Sequence, residues 1–265
     1  MKKVSVLISM ICVFLLSLCA YAAEPAVSCT MEDAANAPAA NGGVTYVSGV
    51  KGNAAYLTNN AYLSLPSAPL ADASDFTVSM WVKPDKVSAW MRAFDFGTGT
   101  TKYMFLSLTN GANTVFAITT NGADNEQKIV APMSFKTGEW THVAVTKSGN
   151  SGIMYINGAE AGRNDNMTVS PSALGATTQN YIGKSQYNDP YLTGAVDELV
   201  IYKTALSPAE IAALATPAAD KIASVNDVYV KTDIDVKPAL PQTVTALLKD
   251  GSVCSVPVSW EEYDE

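Results

Sequence analysis

Short segments of alternating apolar and polar residues, separated by turn-forming residues, fill most of the chain between positions 46 and 202. In the segment 75–82, apolar residues fall at a spacing of two, which places them on one face of a β-strand with Trp81 on the other face. These apolar residues are Phe76, Val78, Met80 and Val82. The same kind of pattern predicts strands over residues 103–108, 115–119, 140–146, 153–156 and 196–202.

Two local signals set the connections between these elements. Asn157-Gly158 tolerates two positive φ values and predicts a two-residue hairpin. Ser207, Pro208 and Glu210 form the start signal of a short helix, with Ser207 as cap and Glu210 completing a capping box. Many short strands and one small helix indicate an all-β protein, a two-sheet sandwich or a jelly roll.

The composition changes after this helix. Residues 217–222 have the content of a linker, and the part that follows is again strand-like at 228–230, 243–248 and 253–260. This last part is so short that it has little core of its own to bury. The pattern therefore predicts a β-domain over 23–216, a linker over 217–222 and a short β segment over 223–265.

The N-terminal residues resemble a secretory signal peptide. Lys2 and Lys3 precede an apolar run over 4–18, and Ala20-Tyr21-Ala22 offers a small-x-small cleavage pattern. The run is shorter than the roughly 20 apolar residues that a membrane-spanning helix needs. We therefore expect residues 1–22 to be removed and the mature chain to be secreted. Lipidation at Cys19, as in bacterial lipoproteins, is the alternative that the sequence leaves open.

Charge narrows the choice of partners. The chain has 17 Lys and Arg against 25 Asp and Glu, a net charge of −8. Removing residues 1–22 takes away two Lys and no acid, which leaves 15 − 25 = −10. Such a surface repels phosphate backbones and anionic lipid, so nucleic-acid binding and membrane association of the mature chain are not expected. Cys29 and Cys254 alone make no disulfide framework, and whether they pair is left open.

Four motifs occur in order along the chain: WMRAFDFG at 90–97, GEWTHVAVT at 138–146, MYING at 154–158 and the stretch 180–211. Together they resemble the LamG-like jelly-roll family of the concanavalin A-like lectin/glucanase superfamily, which implies a two-sheet antiparallel jelly-roll sandwich. In particular they resemble accessory modules of secreted bacterial glycoside hydrolases that degrade arabinan and xylan. The stretch 240–260 is similar to the group 4 bacterial Ig-like domain, whose pattern continues well beyond Trp260, so a truncated Ig-like domain is expected.

Catalysis is not predicted. Glucanases of this superfamily carry Glu-x-Asp-x-x-Glu on one strand, and that motif does not occur in this chain. Asp197 and Glu198 are adjacent and are expected to point to opposite faces of their strand. The same-face pairs Asp124 with Glu126 and Asp233 with Asp235 are expected to be solvated surface acids. The single histidine, His142, is expected to be a packed residue of the sandwich.

Sugar binding needs flat aromatic faces and planar polar groups that catch hydroxyls. The loop 185–191 offers both, and residues 90–103 offer a second cluster. For Trp81, Trp90 and Trp140 taken singly, packing is the favoured role, whereas binding and structural roles of the loop stay open. The candidate sugar-binding residues are Trp90, Arg92, Tyr103, Gln186, Tyr187, Asp189 and Tyr191.

The resemblance implies a polysaccharide ligand of the plant cell wall, of arabinan or xylan type, and a linked or associated glycoside hydrolase as partner. It also implies one structural Ca²⁺, held by Asp197 together with Glu32 or Asp33, since hard oxygen ligands suit this ion. Two other functions stay open: a surface adhesion or spacer module without a sugar site, and a truncated remnant of a multidomain glycoside hydrolase.

Overall fold

The computed structural model describes residues 23–58, 60–66, 68–230, 239–249, 251–258 and 260. The predicted signal peptide, Cys19 and the pair Asp233 and Asp235 lie outside the described residues. Within them, no helix is long and apolar enough to cross a bilayer.

Short strands dominate the described chain, with one α-helix and three single turns of 3₁₀-helix. In chain order the strands are β1 (Val27–Cys29), β2 (Ala39–Asn41), β3 (Val44–Ser48), β4 (Asn53–Leu57), β5 (Tyr62–Ser64), β6 (Phe76–Pro84), β7 (Arg92–Thr98), β8 (Lys102–Ser107), β9 (Thr114–Thr119), β10 (Gln127–Ala131), β11 (Thr141–Ser148), β12 (Ser151–Ile156), β13 (Ala159–Asn164), β14 (Gln179–Ile182), β15 (Gly194–Tyr202), β16 (Ile222–Val225), β17 (Thr243–Leu248) and β18 (Val253–Pro257). Helix α1 is Pro208–Leu214, and the 3₁₀ turns are Ala123–Asn125, Pro171–Leu174 and Ala219–Lys221.

Two antiparallel sheets face each other. The first sheet has the order β13-β12-β11-β6-β15-β4-β3, with β1 pairing on β15, and the second has the order β10-β9-β8-β7-β14-β5-β2. Hairpin-connected neighbours such as β11, β12 and β13 alternate with neighbours that are distant in sequence, such as β6 and β15 or β7 and β14, as in a jelly roll. Apolar residues of both sheets fill the space between them, for example Phe76 of β6 against Phe116 of β9, with ring centroids 5.8 Å apart. The predicted all-β sandwich is confirmed.

The outer face of the first sheet is also buried. On β6 the predicted core residues face the second sheet, and Trp81 on the opposite face is equally inaccessible. Trp81 and Trp140 pack with residues of β17 and β18, while Ala144 and Tyr155 pack with Ile211 of α1. The helix and the C-terminal strands therefore cover much of this face.

The predicted hairpin and helix are confirmed. Asn157 and Gly158 join β12 to β13 with φ values of 50° and 82°, as a two-residue turn requires. The Ser207 hydroxyl accepts a hydrogen bond from the Glu210 amide, and the Glu210 carboxylate accepts one from the Ser207 amide, so the capping box is complete.

The C-terminal part needs correction. Residues 228–230 are not a strand, and the predicted strand over 253–260 ends at Pro257. A strand missed by the sequence, β16, begins at Ile222 within the predicted linker, because Ile222 pairs with Leu248 of β17. Strands β16, β17 and β18 form a third antiparallel sheet, and the Trp140 amide donates to the carbonyl of Val253 at 2.9 Å. Cys29 and Cys254 form no disulfide.

Candidate functional site

A buried charged network lies on the outer face of the second sheet. Arg92, at the start of β7, is 2% exposed and directs Nη1 to the carbonyl of Trp90 at 2.7 Å. Its Nε lies 3.4 Å from Oδ2 of Asp95, and its Nη2 lies 3.1 Å from Oδ2 of Asp189. The guanidinium also stacks 3.8 Å from the centroid of the Phe105 ring. Arg92 is thus held between two carboxylates, with its donors turned into the protein.

Asp95 is the residue of this network that sequence reasoning missed. It is fully buried, and its Oδ2 accepts from the Gln186 amide at 3.1 Å. Its Oδ1 has no hydrogen-bond partner among the described residues. Burial raises the pKa of this carboxyl to about 7, although Arg92 and the Gln186 amide act in the opposite direction. The sequence offered one signal for Asp95, a charged residue between Phe94 and Phe96 on one strand. Both Phe side chains point to the core, so Asp95 points to the outer face of the sheet.

Tyr103 on β8 links the network to the loop after β14. The Tyr103 hydroxyl donates to Oε1 of Glu126 at 2.6 Å and lies 3.3 Å from the Tyr187 hydroxyl. The two tyrosine rings meet edge to face with centroids 5.8 Å apart. Burial, followed by the bond to Glu126, raises the pKa of the fully buried Tyr103. Tyr103 therefore supports Tyr187 from below.

Glu126 is not the solvated surface acid that the sequence predicted. Its carboxylate is only 7% exposed and pairs with Lys128 at 3.0 Å in addition to accepting from Tyr103. Asp124, two residues earlier, is exposed as expected. Glu126 is drawn inwards because the buried Tyr103 hydroxyl needs an acceptor.

The loop 185–191 is pinned by its own polar side chains. The Gln186 amide group accepts from the Gly99 amide at 3.1 Å and donates from Nε2 to the Gln179 carbonyl at 2.8 Å. The Ser185 hydroxyl donates to Asp189 at 2.8 Å. Of the predicted site residues, Gln186 and Asp189 are thus engaged within the protein, whereas the Tyr187 side chain is 37% exposed. The loop presents Tyr187 on a fixed frame.

Trp90 is the second exposed aromatic residue here, with 37% of its surface accessible. Its backbone adopts a φ of 64°, which a tryptophan rarely takes and which carries a free-energy cost. Two hydrogen bonds hold it there, from the Trp90 amide to the Thr109 carbonyl at 2.7 Å and from Arg92 to the Trp90 carbonyl. Trp81 and Trp140 are buried, as the packing interpretation expects, but Trp90 is held at the surface.

Tyr191 belongs to a separate aromatic cluster beside the network. The Lys184 ammonium lies 4.3 Å, 4.5 Å and 5.9 Å from the ring centroids of Tyr62, Tyr181 and Tyr191. The rings of Tyr62 and Tyr181 meet edge to face at 5.2 Å. Tyr181 pairs with Asp95 across β14 and β7, so this cluster adjoins the buried network.

The residues expected to hold Ca²⁺ meet at the turn 49–53 between β3 and β4. Asp197 accepts from the amides of Val50 at 2.8 Å and Lys51 at 3.2 Å, and Glu32 accepts from the Asn53 amide at 2.8 Å. Their oxygens suit Ca²⁺ in kind. Asp33, the alternative ligand, instead accepts from the nearby Ala35 and Asn36. The described residues contain no group of three acidic, His or Cys side chains placed for a metal, so further ligands would be backbone carbonyls.

Asp197 and Glu198 lie at a bulge, so the regular alternation of a strand, on which their expected opposite orientation rests, is interrupted between them. The register of β15 against β6 shifts between Asp197 and Val200, and Glu198 adopts a φ of 48°. This bulge lets both carboxylates reach Lys51, Asp197 through the Lys51 amide and Glu198 through the ammonium at 3.3 Å. Burial raises the pKa of Asp197 to about 7.

His142 is a packed residue, as predicted. Its Nε2 lies 2.7 Å from the Ser79 hydroxyl, and both residues are 1% exposed. Burial lowers the His142 pKa to about 3, which keeps the ring neutral. In the sheet, Trp81 pairs with His142 on one side and with Asp197 on the other. The indole therefore separates the imidazole from the carboxylate.

The family match decides the assignment of the fold. Residues 57–212, more than half of the chain, match the model of the concanavalin A-like lectin/glucanases superfamily. The chain belongs to this superfamily. Residues 225–265 match a second model, the bacterial Ig-like domain of group 4. Strands β17 and β18 of the third sheet lie within that match, whereas β16 reaches only its first residue. The jelly roll carries the buried network together with Trp90 and Tyr187.

Proteins similar to this chain include parts of enzymes that act on carbohydrates. An α-L-arabinofuranosidase of Bifidobacterium longum is 30% identical over 149 residues, which are 56% of this chain and 13% of that protein. Domain 4 of the extracellular GH43 arabinanase AbnA of Geobacillus stearothermophilus, solved with arabinotriose, is 24% identical. That match has a TM-score of 0.61 and covers 73% of this chain and 98% of the domain.

A further solved structure has the same fold. The CBM40 domain of a Ruminococcus gnavus sialidase, bound to α2,3 sialyllactose, is 14% identical with a TM-score of 0.54. The match covers 62% of this chain and 96% of that domain. At such low sequence identities, these structural matches establish the jelly-roll fold alone. The ligand has to be argued from the residues of the site.

Proposed function

We propose that the mature chain is a secreted, non-catalytic carbohydrate-binding module for plant cell-wall polysaccharide of the arabinan or xylan type, acting beside a linked or associated glycoside hydrolase. The observation that carries this proposal is the pair of exposed aromatic side chains, Trp90 and Tyr187, on the outer face of the second sheet. Exposed, rigidly supported aromatic rings suit the C–H faces of sugars.

The support beneath these rings explains how they act as a platform. Arg92 binds the Trp90 carbonyl and the Asp189 side chain, and Tyr103 lies under Tyr187. A ring that is already fixed loses little conformational freedom when a sugar stacks on it. Arg92 and Tyr103 then act as positioning residues, because their polar atoms are engaged within the protein.

The similar arabinanase domain was solved with arabinotriose, which supports arabinose-containing polymers as the first ligands to test. Each stacking contact is weak, and a module of this kind is expected to bind in the high-micromolar to millimolar range, about 4 to 6 kcal/mol. Affinity electrophoresis detects such binding. The native gels contain arabinan, arabinoxylan, xylan or pectin, with a polysaccharide-free gel as reference.

Three variants locate the site. Trp90→Ala and Tyr187→Ala are expected to abolish the retardation. Tyr229→Ala, at an exposed tyrosine between β16 and β17, is expected to retain it. Retardation that persists in both Trp90→Ala and Tyr187→Ala would show that the polysaccharide binds another surface. Equal mobility in every gel would contradict carbohydrate binding and favour the spacer function.

A structural Ca²⁺ at the turn 49–53 is a second, separate part of the proposal. Glu32 and Asp197 would supply carboxylate oxygens, and the ion would tie the N-terminal region to β15. Added Ca²⁺ is then expected to raise the melting temperature and a chelator to lower it. Glu32→Gln should reduce this response, while Glu139→Gln, an acid of an exposed ion pair, leaves it unchanged. A melting temperature independent of Ca²⁺ would contradict this part alone.

A further inference from the structure

Lys184 has no carboxylate partner among the residues that the structure describes, unlike Arg92 and Lys128 beside it. Arg92 lies between Asp95 and Asp189, and Lys128 pairs with Glu126. Lys184 is partly buried, and its ammonium lies near three tyrosine rings. In a chain with 25 acidic and 17 basic residues, a partly buried lysine without a described carboxylate partner requires explanation.

The tyrosine rings hold this cation in a fixed place. All three centroids lie within the roughly 6 Å over which a ring attracts a cation. A lysine side chain normally loses considerable rotamer freedom when it binds an anion. Here much of that loss has already occurred in the free protein, so the ammonium is prepared for a negatively charged group.

The surroundings of Lys184 also indicate what kind of anion fits. Tyr62, Tyr181 and Tyr191 are each partly exposed and surround the ammonium with aromatic edges and faces. Tyr181 is the cross-strand neighbour of Asp95, which places the cluster next to the Arg92 network on the same face of the sheet. A ligand that lies along this face therefore meets exposed rings and then a cation.

We propose that Lys184, with Tyr62, Tyr181 and Tyr191, forms a subsite for a carboxylate-bearing sugar, a uronic acid unit of the polysaccharide. This inference rests on the proposed function and specifies its ligand class. The sugar ring packs against a tyrosine, and its carboxylate accepts a charge-assisted hydrogen bond from the ammonium. Neutral sugar units of the same polysaccharide stack on Trp90 and Tyr187.

Galacturonan provides a matched pair of probes, because methyl esterification removes the charge and keeps the sugar. We expect the mature chain to bind de-esterified galacturonan oligomers about two- to fivefold more tightly than fully esterified ones, a difference typical of one partly exposed ion pair. The preference should shrink between about 20 mM and about 300 mM NaCl, since salt screens exposed charges. Titration calorimetry measures both affinities.

Variants assign the preference to one side chain. Lys184→Gln is expected to lose it and Lys184→Arg to keep it. Lys249→Gln removes the same charge from the exposed turn that follows β17 in the third sheet, and it should leave the preference intact. Unchanged melting temperatures show that the variants fold, and the salt dependence of the unmodified chain tests the proposal without any variant.

Three results would overturn the subsite: equal affinity for both galacturonans, a preference that survives in Lys184→Gln, or equally tight binding of polyglutamate. The last result would indicate an acidic protein partner. Neutral arabinan serves as a separate arm. Binding to arabinan without a preference for the charged polymer rejects the subsite alone, whereas absence of binding to every polysaccharide rejects the proposed function as well.

Discussion

The buried carboxyl of Asp95 allows a sharp test of the electrostatics of the site. Two influences oppose each other there, since burial disfavours its charge and the neighbouring Arg92 favours it. Their balance raises the pKa from 3.8 to about 7 because the side chain is fully buried and Oδ1 lacks a partner among the described residues. Asp95→Asn removes the titration and keeps the shape of the side chain.

The sign and size of the effect follow from this pKa. In the unfolded chain the carboxyl loses its proton near the ordinary value of 3.8, but in the folded chain only near 7. Between these values the folded state binds more protons, so the contribution of Asp95 to stability falls as the pH rises. A difference of about 3 pH units corresponds to at most about 4 kcal/mol of unfolding free energy.

Urea unfolding of both proteins from about pH 4 to about pH 8 measures this term, because other titrating groups cancel in the difference. The stability of Asp95→Asn relative to the unmodified chain should rise across this range. A difference in unfolding free energy that is the same at every pH reflects the new amide beside Arg92 and is separate from the titration of Asp95. Asp165→Asn, an exposed carboxylate, is the control and should show little change. A relative stability of Asp95→Asn that falls with pH would refute the reasoning and show that Arg92 dominates.

Two further substitutions test the frame around the site. Tyr103→Phe should lower the unfolding free energy by about 1 to 3 kcal/mol, because Glu126 loses a buried donor, whereas Tyr187→Phe, whose ring is partly exposed, should change it little. Gly158→Ala should cost about 1 to 2 kcal/mol from its φ of 82°. It should also cost more than Gly149→Ala, because only the Cβ at position 158 would lie 3.2 Å from Ala212 and Ala215. Equal losses at the two glycines would contradict this steric argument.

The covering of the first sheet shows where tertiary structure limits a sequence pattern. Alternation along β6 correctly assigns Met80 to the core and Trp81 to the opposite face. It does not indicate that Trp81 is buried as well, because the covering residues of β17 and β18 lie more than 160 positions later in the chain. For the same reason β16 was missed, since its pairing with β17 depends on residues far from Ile222.

The candidate site was also predicted only in part from the sequence. The sequence predicted the aromatic and polar residue types on segments 90–103 and 186–191, and the structure brings these segments together through Arg92, Asp189, Tyr103 and Tyr187. Which side chains face outwards was not predictable, because Trp90 and Tyr103 are equally aromatic but only one is exposed. Asp95 and Lys184 went unnoticed because their roles come from neighbours on other strands.

By itself, the sequence determined the features that depend on near neighbours along the chain: the period-two strands, the Asn157-Gly158 hairpin, the Ser207 capping box and, by resemblance, the superfamily. Backbone preference and local side-chain hydrogen bonds act over a few residues and can be read directly. Only the tertiary structure decided the strand order, the bulge at Glu198, the covered face and the pKa of Asp95. These depend on burial and on charges brought together from distant positions, where desolvation outweighs any local preference.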